Sequence, residues 1–345
     1  MTGWTLMTPR VRRTGLALAL LAAGFAAGYA TREGLGRREV DRAAFTQRRE
    51  GGYRFVNPLL ECDLAEDVLR NKELVPFKDR ITGYLQRRMD PRWASTVGVY
   101  FRELNDGIWF SIGETERFAP ASLRKLPLMI AVLKSADGPA GRALLDRQVT
   151  FELSRDYNLD QNVKPSVQLV RGQRYTVREL LFRMIAYSDN NAFTTLAGVV
   201  DPAELGRVYA LLRMQNPRGA GDDQFQSVQT YASFFRILYN ATYLSKELSE
   251  WALDTLARSE YRAGLVAGVP ASVPVAHKFG EKSDPGKGQY QLHDCGIVYY
   301  PGNPYLLCVM SQGPSFEYLD DVIVAISRLV YVGVAGQHQD DRRGR

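Results

Sequence analysis

Residues 117–133 read Arg117-Phe118-Ala119-Pro120-Ala121-Ser122-Leu123-Arg124-Lys125-Leu126-Pro127-Leu128-Met129-Ile130-Ala131-Val132-Leu133. Leu123, Leu126, Ile130 and Leu133 recur at helical spacing, and the residues between them are apolar too. A helix that is apolar on every side has no face for water and must be surrounded by other elements. The stretch therefore predicts a central, buried helix. Pro127 lacks a backbone donor, which a helix tolerates only near its first turn.

The flanking sequence supplies the cover. A helix is predicted over about Val75 to Met89, then strands over Val97 to Glu103 and Ile108 to Ile112, joined by Asn105-Asp106-Gly107. Asp-Gly between apolar runs is a hairpin signal. The middle of the chain is helical. Thr176-Val177-Arg178-Glu179 reads as a capping box, with Leu180, Leu181, Met184 and Ile185 as the apolar face of a helix ending near Tyr187. Asp201-Pro202 opens another helix, and further helical patterns cover about Val228 to Tyr239 and Lys246 to Arg258. Strands return over Val273 to Phe279, Cys295 to Tyr300 and Tyr305 to Ser311, before a last apolar helix over about Asp320 to Val332. Strands at both ends with helices between predict an α+β fold. Its sheet is assembled from distant segments, and a helical lobe stands beside a crevice.

Three short motifs bear on that crevice: Ser122-Leu123-Arg124-Lys125, Ser188-Asp189-Asn190 and His277-Lys278-Phe279-Gly280. On a helix, residues three apart share a face, so the Lys125 amine can reach the Ser122 hydroxyl and serve as its base. That requires a lowered amine pKa, which burial and the second cation Lys278 would provide. Ser188, past the end of its helix, is placed to relay a proton. Asn190 offers a donor and an acceptor to a substrate amide. Strand alternation puts Lys278 on one face and His277 and Phe279 on the other, and Gly280 leaves room for a substrate backbone along the strand edge. Singly, each motif has a plain structural reading: a helix cap, a turn tripeptide, a solvated strand lysine. In this order and on these elements they point together to a nucleophilic serine.

With these motifs the chain resembles the class A β-lactamases and the wider penicillin-binding protein (serine DD-peptidase-like) family over most of Val97 to Val332. Arg117 to Ser122, Tyr175 to Leu180 and Cys295-Gly296-Ile297-Val298 are also similar to that family. The resemblance implies a β-lactamase/transpeptidase-like fold: a five-stranded antiparallel sheet flanked by helices, plus a helical lobe. It implies acyl transfer through a serine ester, with Ser122, Lys125, Ser188 and Lys278 catalytic and no cofactor. The backbone N–H groups of Ser122 and Glu281 would hold the oxyanion, with Asn190 and Gly280 against the substrate. The substrate would be a β-lactam or a D-alanyl cell-wall peptide amide. Two departures stand out. Phe279 occupies the place of a family hydroxyl residue, and no Glu-x-x-Leu-Asn stretch lies between Asn190 and Lys278, where only Asp222 and Asp223 stand at about the right place.

The rest of the sequence bounds the setting. Its 345 residues, 45% hydrophobic and 24% charged, can form a sizeable core. The net charge of +6 is mild, and much of the arginine lies at the two ends, which excludes a nucleic-acid stripe. Residues 14–30 form an uncharged Leu/Ala-rich run behind Arg10, Arg12 and Arg13, so residues 1–13 are expected in the cytoplasm and everything after the run is expected to be exported. A cleaved signal and a membrane anchor both fit that run. Residues 31–52 read as a linker, 53–335 as the folded domain and 336–345 as a charged tail, with the domain a monomer. Cys62, Cys295 and Cys308 read as small buried hydrophobes, although Cys295 and Cys308 fall on neighbouring predicted strands and can pair. His277, His293 and His338 form no metal-ligand pattern. Two other readings compete: a non-catalytic binder of penicillin or peptidoglycan, and a Ser-His-Asp hydrolase using His277 or His293, for which no Gly-x-Ser-x-Gly elbow is present.

Overall fold

The computed structural model describes residues 47–62, 78–88, 94–105, 107–139, 141–212, 214 and 226–343. In chain order the elements are β1 (Gln47–Arg49), β2 (Leu59–Cys62), α1 (Lys78–Arg88), β3 (Thr96–Glu103), β4 (Trp109–Ile112), α2 (Lys125–Ala136), α3 (Ala143–Asp146), β5 (Gln148–Thr150), β6 (Arg174–Thr176), α4 (Val177–Ala186), α5 (Asn190–Ala197), α6 (Pro202–Leu211), α7 (Val228–Tyr239), α8 (Lys246–Ala257), β7 (Val275–Asp284), β8 (Gln289–Val298), β9 (Tyr305–Gly313) and α9 (Phe316–Arg343). The fold is α+β. Its main sheet is antiparallel and five-stranded, in the order β4-β3-β9-β8-β7. The predicted N-terminal hairpin pairs with the C-terminal one through β3 and β9, so the sheet closes only when both ends of the domain meet.

Both faces of this sheet are covered, and period-two alternation sorts its side chains between them. Leu306, Cys308 and Met310 join the core shared with the helical lobe, whereas Tyr305, Leu307 and Val309 join the core under α9 and α1. The predicted central helix is α2. Every residue from Lys125 to Leu133 is buried, and α2 touches α3, α4, α6 and α8. Pro127 is its third residue, where its missing donor would have had no intrahelical partner.

Several expectations are corrected in detail. Thr176 caps α4 by accepting from Glu179 N at 3.0 Å, but Glu179 does not reach back. Its carboxylate takes Arg183 at 2.9 Å, and Thr176 is itself paired with Gln148 in the β5–β6 ribbon. The β7 strand runs on through Glu281 to Asp284, and β8 begins at Gln289 rather than Cys295. The helix α9 extends to Arg343, so residues expected as a tail have helical backbone. The described structure begins at Gln47, inside the expected linker. Arg49 there donates to Asn57 O and to Asn240 Oδ1, and Glu250 accepts the backbone N–H groups of Arg54, Phe55 and Val56. Cys295 and Cys308 are register partners on β8 and β9 and are joined by a disulfide, in place of the free buried thiols expected. Among the described residues no helix is long and apolar enough to cross a membrane. The 14–30 run and its anchor or signal reading lie outside them.

Candidate active site

Ser122 sits in a 3-10 turn, Ala121–Arg124, that runs directly into α2 and so places Lys125 on the first turn of the buried helix. The approach to the serine is unusually constrained. Ala121 has φ of 48°, a left-handed conformation that a residue with a Cβ adopts only where its surroundings hold it. Those surroundings are specific. Phe118 exchanges backbone hydrogen bonds with Gln226, the Ala119 N–H donates to Gln291 Oε1 at 2.9 Å, and His293 Nε2 donates to Ala119 O at 2.9 Å. Pro120 O accepts from Leu123 N at 2.8 Å, and Tyr231 Oη donates to Leu123 O at 3.0 Å. Gln291 and His293 lie on one face of β8 and pin the turn from the sheet side.

Lys125 Nζ lies 2.9 Å from Ser122 Oγ, 3.0 Å from Ser188 Oγ and 2.7 Å from Ser188 O. Lys278 Nζ reaches the same Ser188 Oγ at 2.9 Å and also donates to Phe279 O. Both lysines are buried, so both lose water as a partner for their charge. Burial first, then the charge of Lys278, presses Lys125 well below the usual lysine range. Burial also lowers Lys278, to about 7, against the opposing charges of Asp294 and Glu281. Two carboxylates favour the charged form of each amine, but only Lys125 is also pressed down by neighbouring positive charges, those of Lys278 and Arg124. Ser188 has φ of 55° and lies between α4 and α5, where Asp189 caps α5 by accepting from Asn191 N and Ala192 N. The fold thus brings Ser122, Lys125, Ser188 and Lys278 together, with Lys125 touching both serines and Lys278 meeting it at Ser188 Oγ. Neutral Lys125 at 2.9 Å from Ser122 Oγ can take a proton from it, and Ser188 can pass one on.

A family model for the β-lactamase enzyme family matches residues 78–334. The chain belongs to that family. Similar solved structures include a β-lactamase from Chitinophaga pinensis, 22% identical with a TM-score of 0.65, covering 75% of this chain and 99% of that one. A class A β-lactamase representative from Bacteroides cellulosilyticus is 19% identical with a TM-score of 0.64, covering 75% of this chain and 98% of that one. A mutant of PBP-A in an acyl-enzyme complex with penicillin G is 24% identical with a TM-score of 0.63, covering 76% and 98%. At these identities the likeness establishes the β-lactamase-like fold. No curated protein matches the chain.

Within this β-lactamase-family fold the remaining predicted residues take particular places. A Cβ on Gly280 would stand 3.0 Å from Pro120 O and 3.1 Å from Leu123 N, so the glycine admits the nucleophile turn against β7. Glu281 follows on the same strand, at the edge of the sheet, and not beyond the strand as expected. Its Oε1 accepts from Asn162 N at 2.7 Å and Val163 N at 2.9 Å. Asn190 spends its amide donor on Tyr157 O at 3.0 Å. Phe279 is buried and stacked on Tyr261 at 4.1 Å, and Lys278 Nζ lies over its ring, 4.2 Å from the centroid.

Neither histidine addresses Ser122, which removes the geometry a Ser-His-Asp hydrolase needs. His277 Nδ1 meets Asp294 Oδ1 at 2.8 Å, on the Tyr261 side of β7, and His293 uses both ring nitrogens on backbone, Nε2 on Ala119 O and Nδ1 as acceptor from Ser311 N. Asp222 and Asp223 lie outside the described residues. Among the described residues no group of three or more His, Cys, Asp or Glu converges as a metal site would. Sequence reasoning missed Asn158, Gln161 and Gln291, and weighed His293 only as a catalytic base and not as an anchor of the nucleophile turn. Asn158 and Gln161 hold Asp189 Oδ1 and Ser188 O, and the only signal was amide side chains inside otherwise unassigned stretches.

Proposed function

We propose that the chain is an extracytoplasmic serine hydrolase that forms an acyl-enzyme on Ser122 with a β-lactam or a D-alanyl cell-wall peptide amide. One observation carries this reading: buried Lys125, its pKa driven down, lies 2.9 Å from Ser122 Oγ on a turn held from every side. Neutral Lys125 accepts the Ser122 proton as the oxygen attacks the carbonyl carbon. The oxyanion forms against the backbone N–H groups of Ser122 and Glu281, and the packing of Gly280, next to Glu281, against the nucleophile turn supports this reading. Ser188 Oγ, in contact with both lysines, then carries a proton from Lys125 to the leaving nitrogen, and charged Lys278 steadies the developing negative charge. The Cys295–Cys308 disulfide fits an oxidising compartment, as does the arginine-flanked apolar run ahead of the domain.

The test is incubation of the protein with a fluorescent penicillin followed by mass spectrometry of the labelled peptide. The reading expects a single adduct on Ser122, lost in Ser122→Ala. Binding of the probe without a covalent adduct would favour the non-catalytic binder, for which Phe279, with no hydroxyl to offer a substrate carboxylate, is the supporting observation.

A further inference from the structure

The Ser188 to Asn191 stretch of the helical lobe and strand β7 are joined by a segment the acyl-transfer chemistry does not require. Between β5 and β6, residues 151–173 contain neither helix nor strand. Long connections of this kind are usually either disordered or functional. This one is ordered by polar contacts to the helical lobe. Asn190 N donates to Asn158 Oδ1 at 2.7 Å, Asn158 Nδ2 to Asp189 Oδ1 at 3.0 Å, Gln161 Nε2 to Ser188 O at 2.9 Å and Tyr157 N to Asn191 Oδ1 at 2.8 Å. The same segment then crosses to β7, where Asn162 N and Val163 N both donate to Glu281 Oε1.

Apart from buried Pro165, its middle is held by hydrogen bonds rather than by apolar burial, Ser166 there donating to Glu260. Leu159 is 64% exposed and Val167 45%, while the buried anchors Phe151 and Leu169 lie toward its two ends. A segment held by hydrogen bonds and not by core packing opens at lower cost than the elements it joins. Charge-assisted bonds to a carboxylate are the stronger members of such a set, and Glu281 supplies those on the β7 side. Glu281 lies three positions beyond Lys278 on the sheet's edge strand, so a chain laid along that edge past Gly280 meets this link.

We propose that Glu281 is a specificity-determining residue: its carboxylate fastens the 151–173 segment across the end of the crevice and sets how far an acyl donor can extend along β7. The proposal rests on the acyl-transfer reading of Ser122. Small acyl donors react with the segment closed. Donors with a bulky side chain react only in the fraction of molecules in which the two N–H bonds to Glu281 are broken.

The full chain and its Glu281→Ala and Glu281→Gln variants test this with two readouts. Hydrogen exchange followed by mass spectrometry reads the amides of Asn162 and Val163. The second-order labelling rate of Ser122 is measured for 6-aminopenicillanic acid and for a dye-bearing penicillin with a large side chain. Exchange should quicken by about tenfold or more in Glu281→Ala and less in Glu281→Gln, which retains an uncharged acceptor. The ratio of bulky to small labelling rates should rise in the same order. Unchanged exchange overturns the link itself. Faster exchange with an unchanged ratio makes Glu281 structural only and overturns its role in specificity. If neither penicillin labels the parent, the acyl-transfer reading fails and the specificity role falls with it, while exchange still reports whether Glu281 holds the segment.

Discussion

Lys125 on α2 and Lys278 on β7 meet at one atom: their Nζ groups lie 3.0 and 2.9 Å from Ser188 Oγ. Burial and this proximity lower Lys125 strongly and bring Lys278 to about 7. On the proposed mechanism acylation needs Lys125 neutral and Lys278 charged. The rate should therefore rise with pH through the lowered pKa of Lys125 and fall again above about 7 as Lys278 loses its proton. Lys125→Ala should slow acylation by about 100- to 10,000-fold even at saturating penicillin. Lys278→Ala should weaken binding and, by removing a like charge, move the rising limb to higher pH. Stopped-flow labelling across pH measures both limbs.

The anchoring of Ala119 by His293 gives a second pH dependence, this time of stability. Burial lowers His293 from 6.5 to about 4, because the neutral ring must donate from Nε2 and accept at Nδ1. As pH falls from 6.5 toward 4 the unfolded chain takes up a proton that the folded chain refuses, so stability falls over that window. The loss is roughly 3 kcal/mol in all. Urea unfolding midpoints across that range should follow this slope in the parent and lose it in His293→Gln. That variant should also acylate more slowly, because Ala121 then has fewer contacts to hold its left-handed backbone.

Turnover is expected to be slow. The opened ring of a β-lactam keeps its leaving nitrogen tethered beside the ester, so deacylation needs a carboxylate to activate water. Among the described residues the side chain bonded to Ser122 Oγ is Lys125, and no carboxylate contacts that hydroxyl. Loss of a general base slows a step by about 100- to 10,000-fold. A penicillin adduct on Ser122 should accordingly persist for minutes in ligand-free buffer by intact-protein mass spectrometry. Loss of the adduct within a second would instead direct attention to Asp222 and Asp223.

Glu250 holds the start of the domain through the N–H groups of Arg54, Phe55 and Val56, at 3.0, 2.9 and 2.8 Å. Glu250→Ala leaves these donors without their charged acceptor and should cost about 2 kcal/mol. Limited proteolysis should then cut within 47–57 before the rest of the domain. Equal protection in parent and variant would show that Arg49 and the Tyr299 hydroxyl suffice.

The amino-acid sequence by itself determined the elements whose cause is local. The all-apolar run fixed α2 as the buried centre, alternation fixed the strand faces, and the caps at Thr176 and Asp201 fixed two helix starts. It also placed Ser122, Lys125, Ser188 and Lys278 on elements that can converge, because three-residue spacing on a helix and alternation on a strand are fixed by backbone geometry. The tertiary structure decided what depends on neighbours distant in the chain. Residues 289–294 were not legible as strand because Gln291 and His293 interrupt the apolar pattern, and their partner, Ala119, is more than 170 residues away. Gly280 was legible as a close approach, but only the fold shows that the approaching backbone is the nucleophile turn. Glu281 was read for its backbone alone, since nothing local to a strand indicates that its side chain will reach Asn162 and Val163. The Cys295–Cys308 bond likewise required the β8–β9 register, which pairwise spacing does not fix.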